Sequence, residues 1–379
     1  MQIALICNSA FGTDGISKFV LNNHQQFEHN GNFYHLIYSS IHSPEHVVNN
    51  YICDFAKDGD KVKYISKKNG RCRYTYYLYQ YLRHEEIDVV HINGSSAAVL
   101  LEVIIAKIAK VNRIVTHAHS TGGNHPFIHR LLRPLINILA DEKLACGDNA
   151  GHWMYGEHAK FIVIPNCIDT KLYFFNHTVR DEVRKEFGSD SEEIVIGHVG
   201  YFQEVKNQSF LLDIMKSLSK NSEKRYKLLL IGLGPMKEMI EDECKKLGLS
   251  ENVLFLGNRN DVCRLMMAMD VLCMPSLFEG FPIVAVEAQA SGLPVFVSKN
   301  VSKEIGITDL VDFISINEGP GLWVNALEKL VVNNDARNLY ADKVKEAGYD
   351  IRHSAEMLEN IYQKSYGYID TEGSQYRTK

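Results

Sequence analysis

Two glutamates eight positions apart stand out in the segment DVLCMPSLFEGFPIVAVEAQASGLPVFVS, residues 270–298. Glu279 precedes Gly280-Phe281-Pro282, and Glu287 follows in an apolar run that closes on Gly292-Leu293-Pro294. Residues 271–274 read as a buried strand that Pro275-Ser276 ends, and 277–281 as a tight loop. Pro282 suits the first turn of a helix reaching about Ser291, where Gly292 can cap it in the left-handed conformation and Pro294 bars its continuation. A loop entering a helix in this way leaves the N–H groups near Phe281, Ile283 and Val284 facing outward, and the helix dipole makes them an anion site. Carboxylates beside such an anion would not bind it; they would accept hydrogen bonds from hydroxyls next to it. Phosphate flanked by hydroxyls describes a sugar nucleotide. The plainer alternative is a solvated loop glutamate and another that merely complements the dipole.

Three other patterns bear on chemistry. His117 and His119 alternate at the end of a predicted strand and so share a face, with His125 and His129 close behind. No acidic or cysteine ligand flanks them, and strand-end histidines can simply donate hydrogen bonds, so no metal is expected there. Gly232-Leu233-Gly234 is an incomplete glycine fingerprint, because Lys237 stands where a dinucleotide motif needs Gly or Ala. Asp58-Gly59-Asp60 is an Asp-x-Asp match, but it lies in a polar turn before a strand, the wrong end for a ligand site in a parallel sheet.

Short apolar runs alternate with amphipathic stretches almost throughout, the pattern of parallel strands joined by crossover helices. Strands are expected at residues 3–7, 33–38, 62–65, 88–92, 113–117, 143–145 and 161–164, then at 194–199, 227–231, 253–256, 271–274, 295–297 and 312–316. The fold class is α/β, with two Rossmann-like doubly wound domains whose strand-end loops would face one another across a cleft. Residues 171–193 are polar and charged and read as an exposed connection, placing the domains at about 1–175 and 190–350. A helical pattern at about 354–370 carries Met357, Leu358, Ile361 and Tyr362 on one stripe and could pack back on the first domain.

Composition bounds the rest. The chain has 379 residues, 45% hydrophobic and 23% charged, which excludes disorder, and its formal charge of -5 argues against nucleic acid as a partner. Eight cysteines without a CxxC pair point to a reducing, cytoplasmic setting, and no window approaches the length of a membrane span. Lys61, Lys63, Lys67, Lys68, Arg71 and Arg73 form a dense basic run, and residues 126–139 (PFIHRLLRPLINIL) mix basic with large apolar side chains. These are either a solvated loop and a core helix, or elements that rest against an anionic membrane surface.

The segment PSLFEGFPIVAVEAQASGLPVFVS resembles the glutamate-x-seven-glutamate signature of the family 4 retaining glycosyltransferases, which have the two-domain GT-B fold. VIPNCIDTKLY (163–173), GHVGYFQEVKNQSFLLDI (197–214), LLIGLGPMKEMI (229–240), FLGNRNDV (255–262), RIVTHAHS (113–120) and LACGDNAGHWMYG (144–156) agree in order, so the likeness spans nearly the whole chain. It is similar in style to bacterial enzymes of capsular and exopolysaccharide synthesis. The resemblance implies a metal-independent, retaining transfer from a nucleoside-diphosphate sugar, with UDP as the expected nucleotide, to a glycan or lipid-linked oligosaccharide hydroxyl, with no cofactor beyond the nucleotide-sugar co-substrate. It implies that Glu287 holds the ribose, and that Glu279 with the backbone of Gly280 and Phe281 holds donor-sugar hydroxyls. Lys206 would reach the pyrophosphate, helped by the helix start at Pro282, Ile283 and Val284 and by close backbone approach at Gly15. Asn258 and Arg259 would lie where the base is read, and His119, with His117 second, would touch the sugar near the reacting carbon. One departure is Tyr201, where the family has an arginine five positions before the lysine; Arg259 is a substitute partner for the diphosphate. Alternatives are a non-catalytic nucleotide-sugar-binding partner of another transferase, or a nucleotide-sugar epimerase of the same architecture.

Overall fold

The computed structural model describes residues 1–8, 15–39, 55, 59–68, 70–123 and 125–363. Contacts divide the chain into two units, Met1–Cys167 with Ile351–Lys379, and Ile168–Asp350. The first unit is built on a seven-stranded parallel sheet of β1 (Gln2–Cys7), β2 (Phe33–Tyr38), β3 (Lys61–Tyr64), β4 (Val89–Gly94), β5 (Arg113–Ala118), β6 (Glu142–Ala145) and β7 (Ile162–Val163), in the order β3-β2-β1-β4-β5-β6-β7. Its crossovers carry α1 (Gly15–His24), α2 (Arg71–His84), α3 (Leu100–Ile108), α4 (Pro126–Leu139) and α5 (Asp148–Tyr155).

The second unit has six parallel strands, β8 (Glu193–Val199), β9 (Arg225–Ile231), β10 (Val253–Gly257), β11 (Val271–Met274), β12 (Val295–Ser298) and β13 (Val311–Ile314), ordered β10-β9-β8-β11-β12-β13. Helices α6 (His177–Glu186), α7 (Gln208–Asn221), α8 (Lys237–Lys246), α9 (Val262–Ala268), α10 (Ile283–Ala290), α11 (Gly321–Glu328) and α12 (Leu339–Val344) belong to it. The last helix, α13 (Ile351–Gln363), returns to the first unit.

The strands are apolar on both faces because both faces are covered. Ile3 and Leu5 of β1 join a cluster with α1 and α13, through Phe19, Leu358 and Ile361, while Ala4 and Ile6 join the opposite cluster with Leu78 of α2 and Val103 of α3. All thirteen expected strands form within two residues of their expected places. The strand order reverses between β1 and β4 in one sheet and between β8 and β11 in the other, and in open α/β sheets ligands bind at the carboxyl ends beside such a switch point.

Two expectations are corrected. Residues 171–193 are largely exposed, as expected, but are more than a connection. They contain α6, whose Arg180 and Arg184 are buried and clamp Asp270, at 2.6 and 2.5 Å, while Arg180 also donates to the carbonyls of Met267, Ala268 and Met269. The segment therefore packs into the second unit, and the first ends at Cys167, ahead of the expected 175. Pro282 caps α10 with an extended ψ of 111°, and the helix starts at Ile283. Gly292 (φ 62°) closes it as expected: its N–H reaches Gln289 O at 2.9 Å and Leu293 N–H reaches Ala288 O at 2.9 Å. Part of the helical pattern, 364–370, and the turn at 9–14 lie outside the described residues.

Candidate active site

In the second unit the loops leaving β8 and β11 meet at the switch point. Leu277 N–H donates to Val205 O at 2.8 Å, and Asn207, in the left-handed conformation (φ 55°), donates its side-chain amide to Pro275 O at 3.1 Å. This lacing brings Lys206 to Glu279, Nζ to Oε2 at 2.7 Å, with both side chains largely buried. The other carboxylate oxygen accepts from the buried Ser276 hydroxyl at 2.6 Å, and the Glu279 carbonyl accepts from Ser302 N–H at 3.0 Å. Glu279 is thus fixed at backbone and side chain, and it is no solvated loop residue. Immediately after it the chain enters α10, where Ala285 N–H is bonded to Pro282 O at 3.0 Å and the amides of Ile283 and Val284 precede the helical ladder.

His198, on β8, lies behind this pair. It donates Nδ1–H to Cys273 O of β11 at 2.9 Å, which leaves Nε2 as a bare lone pair, buried and without a partner. Burial pushes its pKa down to about 4, and Lys206 adds to the shift, so the ring is neutral near pH 7. Glu287, one turn into α10, accepts a hydrogen bond from the Tyr173 hydroxyl; burial and this carboxylate push the Tyr173 phenol well up. Phe281 stacks on Tyr349, centroids 5.6 Å apart. The β9 loop abuts the β8 loop backbone to backbone. Phe202 N–H donates to Leu233 O at 2.7 Å, and a Cβ on Gly234 (φ 151°) would lie 2.3 Å from Phe202 O. The glycines of the incomplete fingerprint serve this packing.

Arg259 is engaged by Asp261 in a two-pronged pair, both contacts at 2.7 Å, beyond the end of edge strand β10, with Asn258 exposed next to it. Tyr201 is 54% exposed, its side chain outside the Lys206–Glu279 cluster.

In the first unit, His119 closes β5 with its N–H on Gly94 O at 3.0 Å and its Nε2 2.9 Å from Asn93 Oδ1. His117 is fully buried and stacked between His91 and His119, with centroids 5.4 and 4.2 Å away, so it is a core residue and His119 is the one that retains exposure. Burial holds His91 and His119 near pKa 3 and His117 well below its ordinary value. His129 is not with them: its Nδ1 accepts from Ala97 N–H and its Nε2 donates to Trp153 O. Gly15 begins α1, and among the described residues nothing lies within 4 Å of where a Cβ on it would stand. Within the basic run, Lys67 turns inward to Asn8 and the buried Glu102, at 3.1 and 3.2 Å, whereas Lys68, Arg71 and Arg73 are exposed.

Ser276, His198, Tyr173 and Asn93 were not singled out by the sequence reading. The available signal was polarity out of place: a serine three residues before Glu279, and a histidine inside IVIGHV.

Comparison with known proteins decides the family. A model described as "Glycosyl transferases group 1" matches residues 179–347, and one described as "Glycosyltransferase Family 4" matches 13–172. A putative glycosyltransferase, EpsF of Bacillus subtilis, is 34% identical over 274 residues, 69% of this chain and 71% of its own length. The chain belongs to the family 4 glycosyltransferases. A UDP-Gal:alpha-D-GlcNAc-diphosphoundecaprenol alpha-1,3-galactosyltransferase of Escherichia coli is 25% identical over 302 residues, 75% of this chain and 77% of that one. The structure of Anabaena HepE in complex with UDP shares the fold at a TM-score of 0.77 and 18% identity, covering 96% of this glycosyltransferase and all of HepE. The two parallel-sheet Rossmann-like domains are those of the GT-B glycosyltransferases.

Proposed function

We propose that this glycosyltransferase is a retaining, metal-independent enzyme of cell-surface polysaccharide synthesis that transfers a sugar from a UDP-linked donor to a hydroxyl of a glycan or lipid-linked oligosaccharide. The observation that carries the reading is the Ser276–Glu279–Lys206 cluster at the threshold of α10. Lys206 and the amides of Ile283 and Val284 supply positive charge for a diphosphate leaving group, which a divalent ion would otherwise provide. Glu279, already oriented, accepts donor-sugar hydroxyls, and Glu287 accepts those of the ribose. The E. coli relative uses UDP-galactose and a diphosphoundecaprenol-linked acceptor by its name, and HepE was solved with UDP and with UDP-glucose, which supports a uridine donor.

In this reading the anomeric carbon gains positive charge as the diphosphate leaves, and the acceptor hydroxyl attacks from the same face. Its proton passes to a leaving phosphate oxygen, so no side-chain base is required. Neutral His119 of the first unit is a hydrogen-bonding group rather than a cation for the donor sugar. Work on lipid-linked acceptors would place the protein on the inner face of the cell membrane; no helix among the described residues is long and apolar enough to cross one.

The test pairs ligand-induced stabilisation with product analysis. UDP-sugars, and not GDP- or ADP-sugars, should raise the unfolding temperature, a ligand at about 100 times its Kd contributing about 2.7 kcal/mol. Transfer to a lipid-linked acceptor should give the donor's anomeric configuration by NMR and persist in EDTA. An inverted product, or turnover that requires added metal, overturns the mechanism. UDP binding without transfer favours a non-catalytic partner, and conversion of the sugar nucleotide without acceptor favours an epimerase.

A further inference from the structure

At the amino-terminal edge of the first unit's sheet, opposite the strand-end loops, three side chains converge. His24 ends α1, His29 lies in the turn toward β2, and Asp60 stands immediately before β3. His24 Nε2 and His29 Nε2 approach the same oxygen, Asp60 Oδ2, at 2.6 and 2.8 Å, and the three atoms lie within 4.8 Å of one another. His24 and Asp60 are buried, and His29 reaches the surface.

Hydrogen bonding between neutral rings does not account for this geometry. His29 Nδ1 faces the Phe27 carbonyl at 3.1 Å, a contact that only an N–H can make. The neutral ring therefore turns a bare Nε2 lone pair toward a carboxylate oxygen 2.8 Å away, and two lone pairs repel unless a positive charge sits between them. Either a proton or a metal ion meets that need. For His29 and Asp60 the surroundings are those of metal ligands: a ligating histidine usually donates its other N–H to a carbonyl, and a ligating carboxylate is itself hydrogen-bonded, whereas His24 Nδ1 is buried without a partner among the described residues. Asp60 Oδ1 accepts from Tyr34 N–H at 2.7 Å, and the His24 ring is fixed by stacking on Phe55 at 3.8 Å.

We infer that His24, His29 and Asp60 form a binding site for a divalent transition-metal ion of the zinc class, with water in the fourth position. Two imidazoles and one carboxylate suit a borderline ion of this kind. Metal bonds of about 2.0–2.2 Å set tetrahedral ligand atoms about 3.3 Å apart, so the contacts of 2.6 and 2.8 Å to Asp60 would lengthen by about 0.7 and about 0.5 Å; the place of His29 in a surface turn permits its share, and the Asp60 carboxylate would turn away from His24 for the other. The ion would tie the end of α1 to edge strand β3. It lies away from the carboxyl ends of the strands, so its role is structural, and transfer by the folded protein in EDTA is compatible with it.

The experiment uses the full chain after chelator treatment and gel filtration. Calorimetric titration with Zn2+ should show one tight equivalent, and Co2+ should give the visible absorption of a four-coordinate nitrogen- and oxygen-ligated ion. Asp60→Asn and His29→Gln should each weaken binding at least about tenfold. His29→Gln changes a partly exposed side chain, so its circular dichroism should match the parent and keep the result interpretable even if Asp60→Asn folds poorly. Absence of a one-equivalent transition in the parent overturns the inference and leaves a proton between the rings and Asp60. Unchanged zinc and cobalt signals in His29→Gln overturn it too, assigning the ion to other histidines.

Discussion

Glu279 and Glu287 sit eight residues apart, yet the structure gives them different company, and different failures follow on their removal. Glu287 is oriented by the Tyr173 hydroxyl, and Glu279 by Ser276 and Lys206. If Glu287 holds the ribose, Glu287→Ala should weaken UDP itself. A lost charge-assisted hydrogen bond is worth about 1.5–3 kcal/mol, so calorimetry should read roughly a tenfold or greater rise in Kd. Glu279→Ala should leave UDP affinity nearly intact and depress turnover. Because Lys206 and Glu279 are paired, their effects on kcat should be non-additive, with the double variant little worse than the poorer single one. Additive losses would mean that the two act independently. The pair of glutamates was legible from spacing alone. The Ser276 contact and the His198 lone pair were not, because a hydroxyl in a loop and one histidine in a strand acquire meaning only when β8 and β11 are side by side.

At the scale of elements, the β8 and β9 loops and the histidine column each carry a prediction. Gly234→Ala would place a methyl 2.3 Å from Phe202 O at a φ of 151°, so the loop must shift. We expect a loss of about 1–3 kcal/mol in the stability of the second unit, read by urea unfolding, together with weaker donor binding. In the column, His91 and His119 titrate near pH 3 and His117 well below 6.5, the ordinary value to which all three return on unfolding. Between those limits the unfolded chain binds more protons, so stability is complete above about pH 6.5 and is lost as pH falls toward about 3. The slope reaches about 1.4 kcal/mol per pH unit for each imidazole. Glu359, whose pKa burial raises, works in the opposite sense, while His35 and His129, also lowered by burial, work in the same sense as the column. Urea unfolding of the first unit should therefore show clearly lower stability at about pH 5 than at about pH 7, and His91→Gln should flatten the difference. Equal stability at both values would show that the column is not buried in its neutral form.

For the molecule as a whole, apolar runs and their crossovers were enough to place every strand, because a sheet covered on both faces needs nearly continuous hydrophobic segments. What misled was charge: α6 looked solvated because its arginines meet Asp270, about ninety residues away, and no local pattern announces such a partner. The segment 126–139 had two readings, and α4 separates them by what it leaves outside. His129 and Ile136 are buried, whereas Phe127, Leu131 and Ile138 are 81, 69 and 76% exposed, with Arg130 on the same open side. The adjoining α3 exposes Ile104 and Ile108. An apolar stripe bordered by arginine and lysine suits a headgroup layer, where the rings and aliphatic chains enter and the cations stay at the phosphates. Full burial of each large apolar side chain is worth about 1.5–3 kcal/mol, and each cation near an anionic surface about 1 kcal/mol. Vesicles containing anionic lipid should therefore sediment with the protein. Changing Phe127, Leu131 and Ile138 to Ser should cut binding at least about tenfold at any salt concentration, while changing Lys68, Arg71 and Arg73 to Ser should remove mainly the salt-sensitive part. Both variants should keep their activity on a short soluble acceptor, since neither set lies among the donor-binding residues. Failure to sediment at low salt, or binding indifferent to both sets, would leave α4 as bare surface and remove the membrane from this glycosyltransferase's working partners.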